Sequence, residues 1–267
     1  MKKIILALVL AVCSLLSNTL TQIKEKGIIR IGIDGSSPPF SVAKAGEYSG
    51  FEILLIEGLV KEIFGDKGSK IQYVVTVGDD RIKAVQDNRV DLDIALISVT
   101  KEREKLVDFS DPYFSVNIGV LTRTDDNIKT VDDLQDKEIL AEPGTTAFDY
   151  FNKEGFKVIS CASSSECFRA LKSGRGSGYA DDNMVVLGYS VVDRKVEVNI
   201  KNLGTSDFLA IAVQKGNDDL LNALNDGLVK LSKNGFFKKI FNDSIDPFYK
   251  GKAEKKYFLL DDLYKMF

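Results

Sequence analysis

Short β-branched runs alternate with helical patterns through the first hundred residues, and this alternation restricts the fold more than any other feature. The pattern predicts strands at 28–33, 70–77 and 90–97 and helices at 51–65 and 79–89. The run IIRIGI at 28–33 ends in Asp34-Gly35, which is typical of a buried strand that leads into a loop. Strands that alternate with helices form parallel sheets, so we expect an α/β fold.

The alternation continues in a second unit. We predict strands at 116–123, 138–141 and 157–161, and helices beginning near Thr146 and Ser165. Strands near 116–122 and 208–214 enclose this unit and lead the chain out and back. Two α/β lobes joined by two hinge strands would leave a cleft between them, and hinge closure around a ligand is a standard motion of such proteins.

The N-terminus has the order of a secretory signal. Lys2 and Lys3 precede an apolar run that ends near Leu16, and this run is shorter than the ~20 residues of a transmembrane helix. We assign residues 1–20 to a signal peptide whose cleavage site is not defined by the sequence. Leu10-Ala11-Val12-Cys13 resembles a lipoprotein box with Val12 in place of a small residue, so a lipid tether at Cys13 stays open.

The composition excludes several classes of function. The 267 residues contain no histidine and three cysteines, and the formal charge is −3. A Ser-His-Asp or Cys-His mechanism is therefore impossible, a zinc site is unexpected, and no basic excess points to nucleic acid. We expect no metal and no cofactor. Cys161 and Cys167 form either a disulfide, which an oxidising compartment would favour, or a pair of buried free thiols.

Four strings together resemble the family 3 solute-binding proteins of bacterial polar amino-acid ABC transporters. They are GFEILLIEGLVKEI, VTKEREKLVDFSDPYF, EPGTTAFDYF and ADDNMVVLGY, and the resemblance spans about residues 24 to 245 in the family's order. It implies a type II periplasmic-binding-protein fold, with residues 21–120 and 214–267 in lobe 1 and 121–213 in lobe 2. It also implies a monomeric periplasmic protein that performs no catalysis, binds one L-amino acid and delivers it to a membrane permease.

The resemblance also implies a set of ligand contacts. Arg103 matches the arginine that binds the ligand α-carboxylate, and Ser98 and Thr146 match hydroxyl residues around the same group. Asp182 matches the carboxylate for the α-ammonium, and Leu96 a backbone carbonyl acceptor. These residue types suit an amino acid, because guanidinium pairs with carboxylate in a planar two-donor geometry.

The ligand side chain is less constrained by the resemblance. Arg81 and Glu142 match positions that reach the side chain in relatives, yet they favour ligands of opposite charge. Asp34 is a further candidate contact, and Phe51 is expected as an apolar wall. We expect a polar ligand such as glutamine, cysteine or cystine, or glutamate.

Two other functions stay open on the same fold. A secreted cyclohexadienyl (arogenate) dehydratase would use Glu142 as a general acid with a raised pKa, and it would turn over arogenate or prephenate. A ligand-sensing module would be fused to signalling segments.

Overall fold

The computed structural model describes residues 18–65 and 68–251, which form two five-stranded sheets and a small three-stranded sheet. The predicted lipidation site at Cys13 and most of the predicted signal lie outside the described residues. The strands are β1 (Ile28–Ile33), β2 (Ser36–Ser37), β3 (Ser41–Lys44), β4 (Glu47–Ser49), β5 (Lys70–Val75), β6 (Leu92–Asp93), β7 (Val107–Phe109), β8 (Phe114–Arg123), β9 (Glu138–Ala141), β10 (Lys157–Ser160), β11 (Gly178–Asp182), β12 (Val196–Leu209) and β13 (Ala212–Gln214). The α-helices are α1 (Leu20–Lys26), α2 (Phe51–Phe64), α3 (Asp80–Gln86), α4 (Thr146–Lys153), α5 (Ser164–Lys172), α6 (Asn183–Val192), α7 (Asp218–Lys233), α8 (Phe236–Ile240) and α9 (Asp246–Tyr249). No described helix is long and apolar enough to span a membrane.

The first sheet has the order β5-β1-β6-β13-β7. Strand β1 pairs in parallel with β5 and β6, whereas β13 is antiparallel to both β6 and β7. The predicted parallel core is therefore present, and one antiparallel strand, β13, lies between it and the edge strand β7. Helix α2 begins at Phe51 and ends before Gly65, as its apolar spacing predicts, and it buries Ile53, Leu55 and Ile56 in the core.

The second sheet has the order β10-β9-β11-β8-β12. Strands β9, β10 and β11 are parallel, and β8 is antiparallel to both of its neighbours. The β8–β12 pairing runs from Phe114↔Leu209 to Arg123↔Val196. The predicted strand at 208–214 is therefore wrong as a single element, because β12 ends at Leu209 and β13 begins in the other sheet at Ala212.

Two adjacent segments connect the sheets, one between β7 and β8 and the other between β12 and β13. The Ser110 N–H donates to the Ile211 carbonyl at 2.9 Å, and the Ile211 N–H donates back to Ser110 Oγ at 3.0 Å. The Tyr113 N–H donates to the Leu209 carbonyl at 2.9 Å. The fold is thus two α/β lobes joined by two crossovers, as predicted. The crossing occurs just before β8, which is hydrogen-bonded along its length to the second sheet.

Candidate functional site

A cavity between the two lobes collects most of the predicted contact residues. It has a volume of about 350 Å³, which includes its opening. The lining residues are Asp34, Ser37, Arg81, Leu96, Ser98 and Arg103 from the first lobe and Glu142, Thr145, Thr146, Ser164, Asp181 and Asp182 from the second. Every predicted contact residue except Phe51 is in this set. Phe51 lies in the core instead, where its ring packs edge-on against Phe40 and Phe114.

Strand ends and one helix start position these side chains. Asp34 follows β1, Leu96 lies beyond β6, and Glu142 follows β9. Asp182 is the last residue of β11, and Thr146 is the first residue of α4. Open α/β sheets bind ligands outside the carboxyl ends of their strands, and here two such edges face each other.

Arg103 is held at the cavity by backbone carbonyls from both lobes. Its Nη1 donates to the Ser98 carbonyl at 2.6 Å, and its Nη2 donates to the Gly144 carbonyl at 2.8 Å. Burial, with Arg81 nearby, lowers the pKa of the Arg103 guanidinium to about 10, which leaves it charged at neutral pH. These bonds use two of the five N–H donors of an arginine, so an anion in the cavity has donors to meet.

Arg81 is more fully engaged with the backbone. Its Nε donates to the Gly78 carbonyl at 2.9 Å, and its Nη1 donates to the Ala95 and Leu96 carbonyls at 2.9 and 3.1 Å. Its Nη2 donates to the Gly144 carbonyl at 2.8 Å. Arg81 therefore lines the cavity and braces its walls, and most of its donors are already satisfied.

The two neighbouring aspartates of β11 differ in their partners. Asp181 accepts hydrogen bonds from the Tyr179 hydroxyl, from Ser164 Oγ at 3.2 Å and from the Asp182 N–H at 2.8 Å. Burial raises the pKa of the Asp182 carboxyl well above its usual range, and the adjacent Asp181 raises it further. Asp181 is thus tied into the second lobe, and a cation placed beside Asp182 would lower the pKa of its carboxyl and favour the charged form.

Glu142 is the one glutamate in the lining. Burial raises its pKa to about 8, against the opposing effect of Arg81 and of a hydrogen bond from the Gly78 backbone. The side chain is therefore protonated and neutral at pH 7. Arg81 and Glu142 favour ligands of opposite charge, but both effects are weakened here. The Arg81 donors are mostly bonded to backbone carbonyls, and the Glu142 carboxyl is uncharged.

The start of helix α4 shows a contact that sequence reasoning missed. Thr145 Oγ1 accepts the Phe148 N–H at 3.1 Å as the helix cap. The Thr146 side chain hydrogen-bonds Asp207 of β12, whose own pKa is raised by burial. Asp207 lies in the part of β12 with the sequence NLGTSDF, which does not alternate between apolar and polar residues, so the sequence offered no strand signal there.

Ser164 and Ser37 meet across the cleft. Ser37 Oγ donates to Ser164 Oγ at 3.3 Å, and Ser164 donates onward to Asp181. Ser164 opens helix α5 within a loop that a Cys161–Cys167 disulfide closes, with the Cα atoms 5.4 Å apart. Of the two states that the sequence left open for these cysteines, the structure has the bridge.

Comparison with known proteins identifies the family of this chain. Residues 29–246 match the model for bacterial extracellular solute-binding proteins, family 3. The ABC transporter glutamine-binding protein GlnH of Bacillus subtilis is 30% identical over 237 residues, which is 86% of each chain.

Two solved structures are also similar. The solute receptor for L-cysteine of Neisseria gonorrhoeae is 37% identical with a TM-score of 0.86, over 90% of this chain and 98% of that one. The cysteine-binding protein of Campylobacter jejuni is 33% identical with a TM-score of 0.84, over 89% and 96%. Two of these relatives are named as binding proteins and the third as a solute receptor, as expected for a chain that binds a ligand and is not an enzyme. The family match, the two-lobed fold and the inter-lobe cavity together establish that this chain belongs to the bacterial extracellular solute-binding proteins of family 3.

Proposed function

We propose that this protein is the extracytoplasmic binding subunit of an ABC importer, and that it binds one polar L-amino acid in the inter-lobe cavity for delivery to a permease. The observation that carries the proposal is the position of Arg103 and Asp182, which line one cavity from opposite lobes. Arg103 would bind the ligand carboxylate, and Asp182 would bind its ammonium group. A ligand held in this way contacts both lobes and favours their closure.

The surroundings of the ligand side chain favour an uncharged ligand. Arg81 is occupied by backbone carbonyls, and Glu142 is neutral at pH 7 because burial raises its pKa to about 8. Ser37 and Ser164 add small hydroxyl groups to the lining. A small polar side chain fits this chemistry, and the two similar structures are named as a solute receptor for L-cysteine and a cysteine-binding protein. L-Cysteine is therefore the first candidate and L-glutamine the second.

A ligand panel tests the proposal. The chain without residues 1–20 is stripped of bound ligand and heated with each common amino acid and with cystine. A ligand at 100 times its Kd should stabilise the protein by about 2.7 kcal/mol. We expect the largest shift with L-cysteine and none with D-cysteine. If no amino acid shifts the melting temperature, the binding proposal is wrong, and turnover of arogenate or prephenate would favour the dehydratase instead.

Glu142→Gln should keep ligand affinity at pH 7 and remove its decrease at alkaline pH. The pKa of Glu142 is raised to about 8, so at higher pH the wild-type side chain is ionised and must take up a proton before the neutral site can bind the ligand. One pH unit above the pKa, this proton uptake lowers the affinity of the wild type by about tenfold. Calorimetric titrations at pH 7 and 9 give the ratio of the two affinities for each protein. Ionisation of the ligand affects both proteins equally, so it does not contribute to the difference between their ratios. Parallel decreases in both would contradict the prediction.

A further inference from the structure

Leu96 has an unusual backbone conformation at the cavity wall. Its φ is +54°, in the left-handed region that side chains other than those of Gly, Asn and Asp seldom adopt. Its carbonyl accepts Arg81 Nη1 at 3.1 Å, and the residue lines the cavity. A strained residue of this kind persists only where its surroundings fix it, so some group must hold the Leu96 peptide from its other side.

Glu52 is the group that does so. Its carboxyl is fully buried, and Oε1 accepts the Leu96 N–H at 2.9 Å and the hydroxyl of Tyr113. Oε2 has no hydrogen-bond partner within the described residues. A buried carboxyl with an unpaired oxygen is costly, and an apolar side chain of similar size would fill the same space without that cost. The stability of the core therefore does not account for a glutamate here.

We infer that Glu52 is a positioning residue of the binding site, which holds Leu96 in its left-handed conformation and so directs the Leu96 carbonyl toward the ammonium group of the ligand. The inference rests on the proposed function, because it assumes that the ligand carries an ammonium group. Glu52 does not itself line the cavity. It acts through one backbone hydrogen bond, and Arg81 fixes the same residue from its carbonyl side.

A matched pair of variants tests the inference. Glu52→Ala and Asp93→Ala each remove a fully buried carboxyl with one unpaired oxygen, but Asp93 accepts its hydrogen bond from Thr76, whereas Glu52 accepts one from the Leu96 N–H. We expect both variants to lose stability, and only Glu52→Ala to weaken binding of L-cysteine, or of the best ligand in the panel, by tenfold or more. Glu52→Gln keeps an acceptor for the Leu96 N–H and should bind within about threefold of the wild type.

A double variant separates positioning from general damage. Leu96→Gly in the Glu52→Ala background should recover part of the lost affinity, because glycine adopts the left-handed conformation without support. If Glu52→Ala fails to fold, Glu52→Met fills the space without accepting the N–H and takes its place. The inference would be overturned, and the proposed function would stand, if Glu52→Ala bound the ligand with wild-type affinity or if Asp93→Ala lost as much affinity as Glu52→Ala. Absence of binding by the wild type would instead overturn the proposed function.

Discussion

Arg103→Ala should abolish binding of every amino acid that the wild type binds. The variant removes the only predicted partner of the ligand α-carboxylate that carries a full positive charge, and it leaves that carboxylate desolvated in the cavity. Truncating one partner of a buried, hydrogen-bonded charge pair costs about 2–5 kcal/mol, so we expect a loss of affinity of about a thousandfold. Arg103 also donates to the Gly144 carbonyl of the second lobe, so the variant weakens lobe closure as well. Calorimetry with L-cysteine gives the affinity.

Arg123→Ala is the matched control for this experiment. Arg123 also donates to two backbone carbonyls, those of Leu171 at 2.6 Å and Gly176 at 3.0 Å, but it lies outside the cavity lining. It should lose stability and keep its affinity. Arg103→Lys should lie between wild type and alanine, because lysine keeps the charge and loses the planar pair of donors. Retained binding in Arg103→Ala would show that this side chain is a structural contact only.

Gly144→Ala should prevent closure of the lobes and reduce affinity by a hundredfold or more. Gly144 has a φ of +79°, and a Cβ there would lie 2.4 Å from Asp79 Oδ1 and 2.5 Å from Asp79 N, in the facing lobe. The Asp79 backbone belongs to the start of helix α3 and has little room to move. The lobes would therefore stay apart at the point where the Gly144 carbonyl meets Arg81 and Arg103.

Gly155→Ala is a close control for the backbone strain. Gly155 has the same φ of +79°, and a Cβ there meets no atom within 4 Å. Both variants pay about 1–2 kcal/mol for a left-handed alanine, whereas only Gly144→Ala introduces a clash between lobes. Melting temperatures should fall by similar amounts, and small-angle scattering with ligand should show an open form for Gly144→Ala alone. Equal affinities for the two variants would contradict this account.

The strands and helices that carry the site follow from local patterns. The strand at 138–141 has the predicted bounds, and helix α2 covers its apolar repeat, because periodicity and a terminal glycine are properties of short segments. The predicted strand at 90–97 shortens to β6 (Leu92–Asp93). Its last residues form the cavity wall, where Leu96 leaves the extended conformation because Glu52 and Arg81 bind its peptide groups.

Long-range partners account for most of what sequence reasoning missed. Arg81 was predicted to reach the ligand, but its guanidinium donates to four backbone carbonyls, three in its own lobe and that of Gly144 in the other. Most of β12 went unrecognised, although VEVNIK at its start alternates between apolar and polar residues as a strand does. Asp207 lies beyond this segment, where the alternation is lost and the strand pairs with β8 through several register shifts. The lobe boundaries that we proposed after residues 120 and 213 stay predictions.

The hydrogen bonds between the two crossovers have a consequence for measuring this protein. Since the segments around Ser110 and Ile211 lie side by side and bond each other in both directions, they act as one short connection. Closure of two lobes about such a connection is a hinge motion. The distance between one fluorophore on each lobe should then shorten on closure, and its change with ligand concentration should follow the occupancy of the site. The fold thus lends itself to an optical sensor for its own ligand.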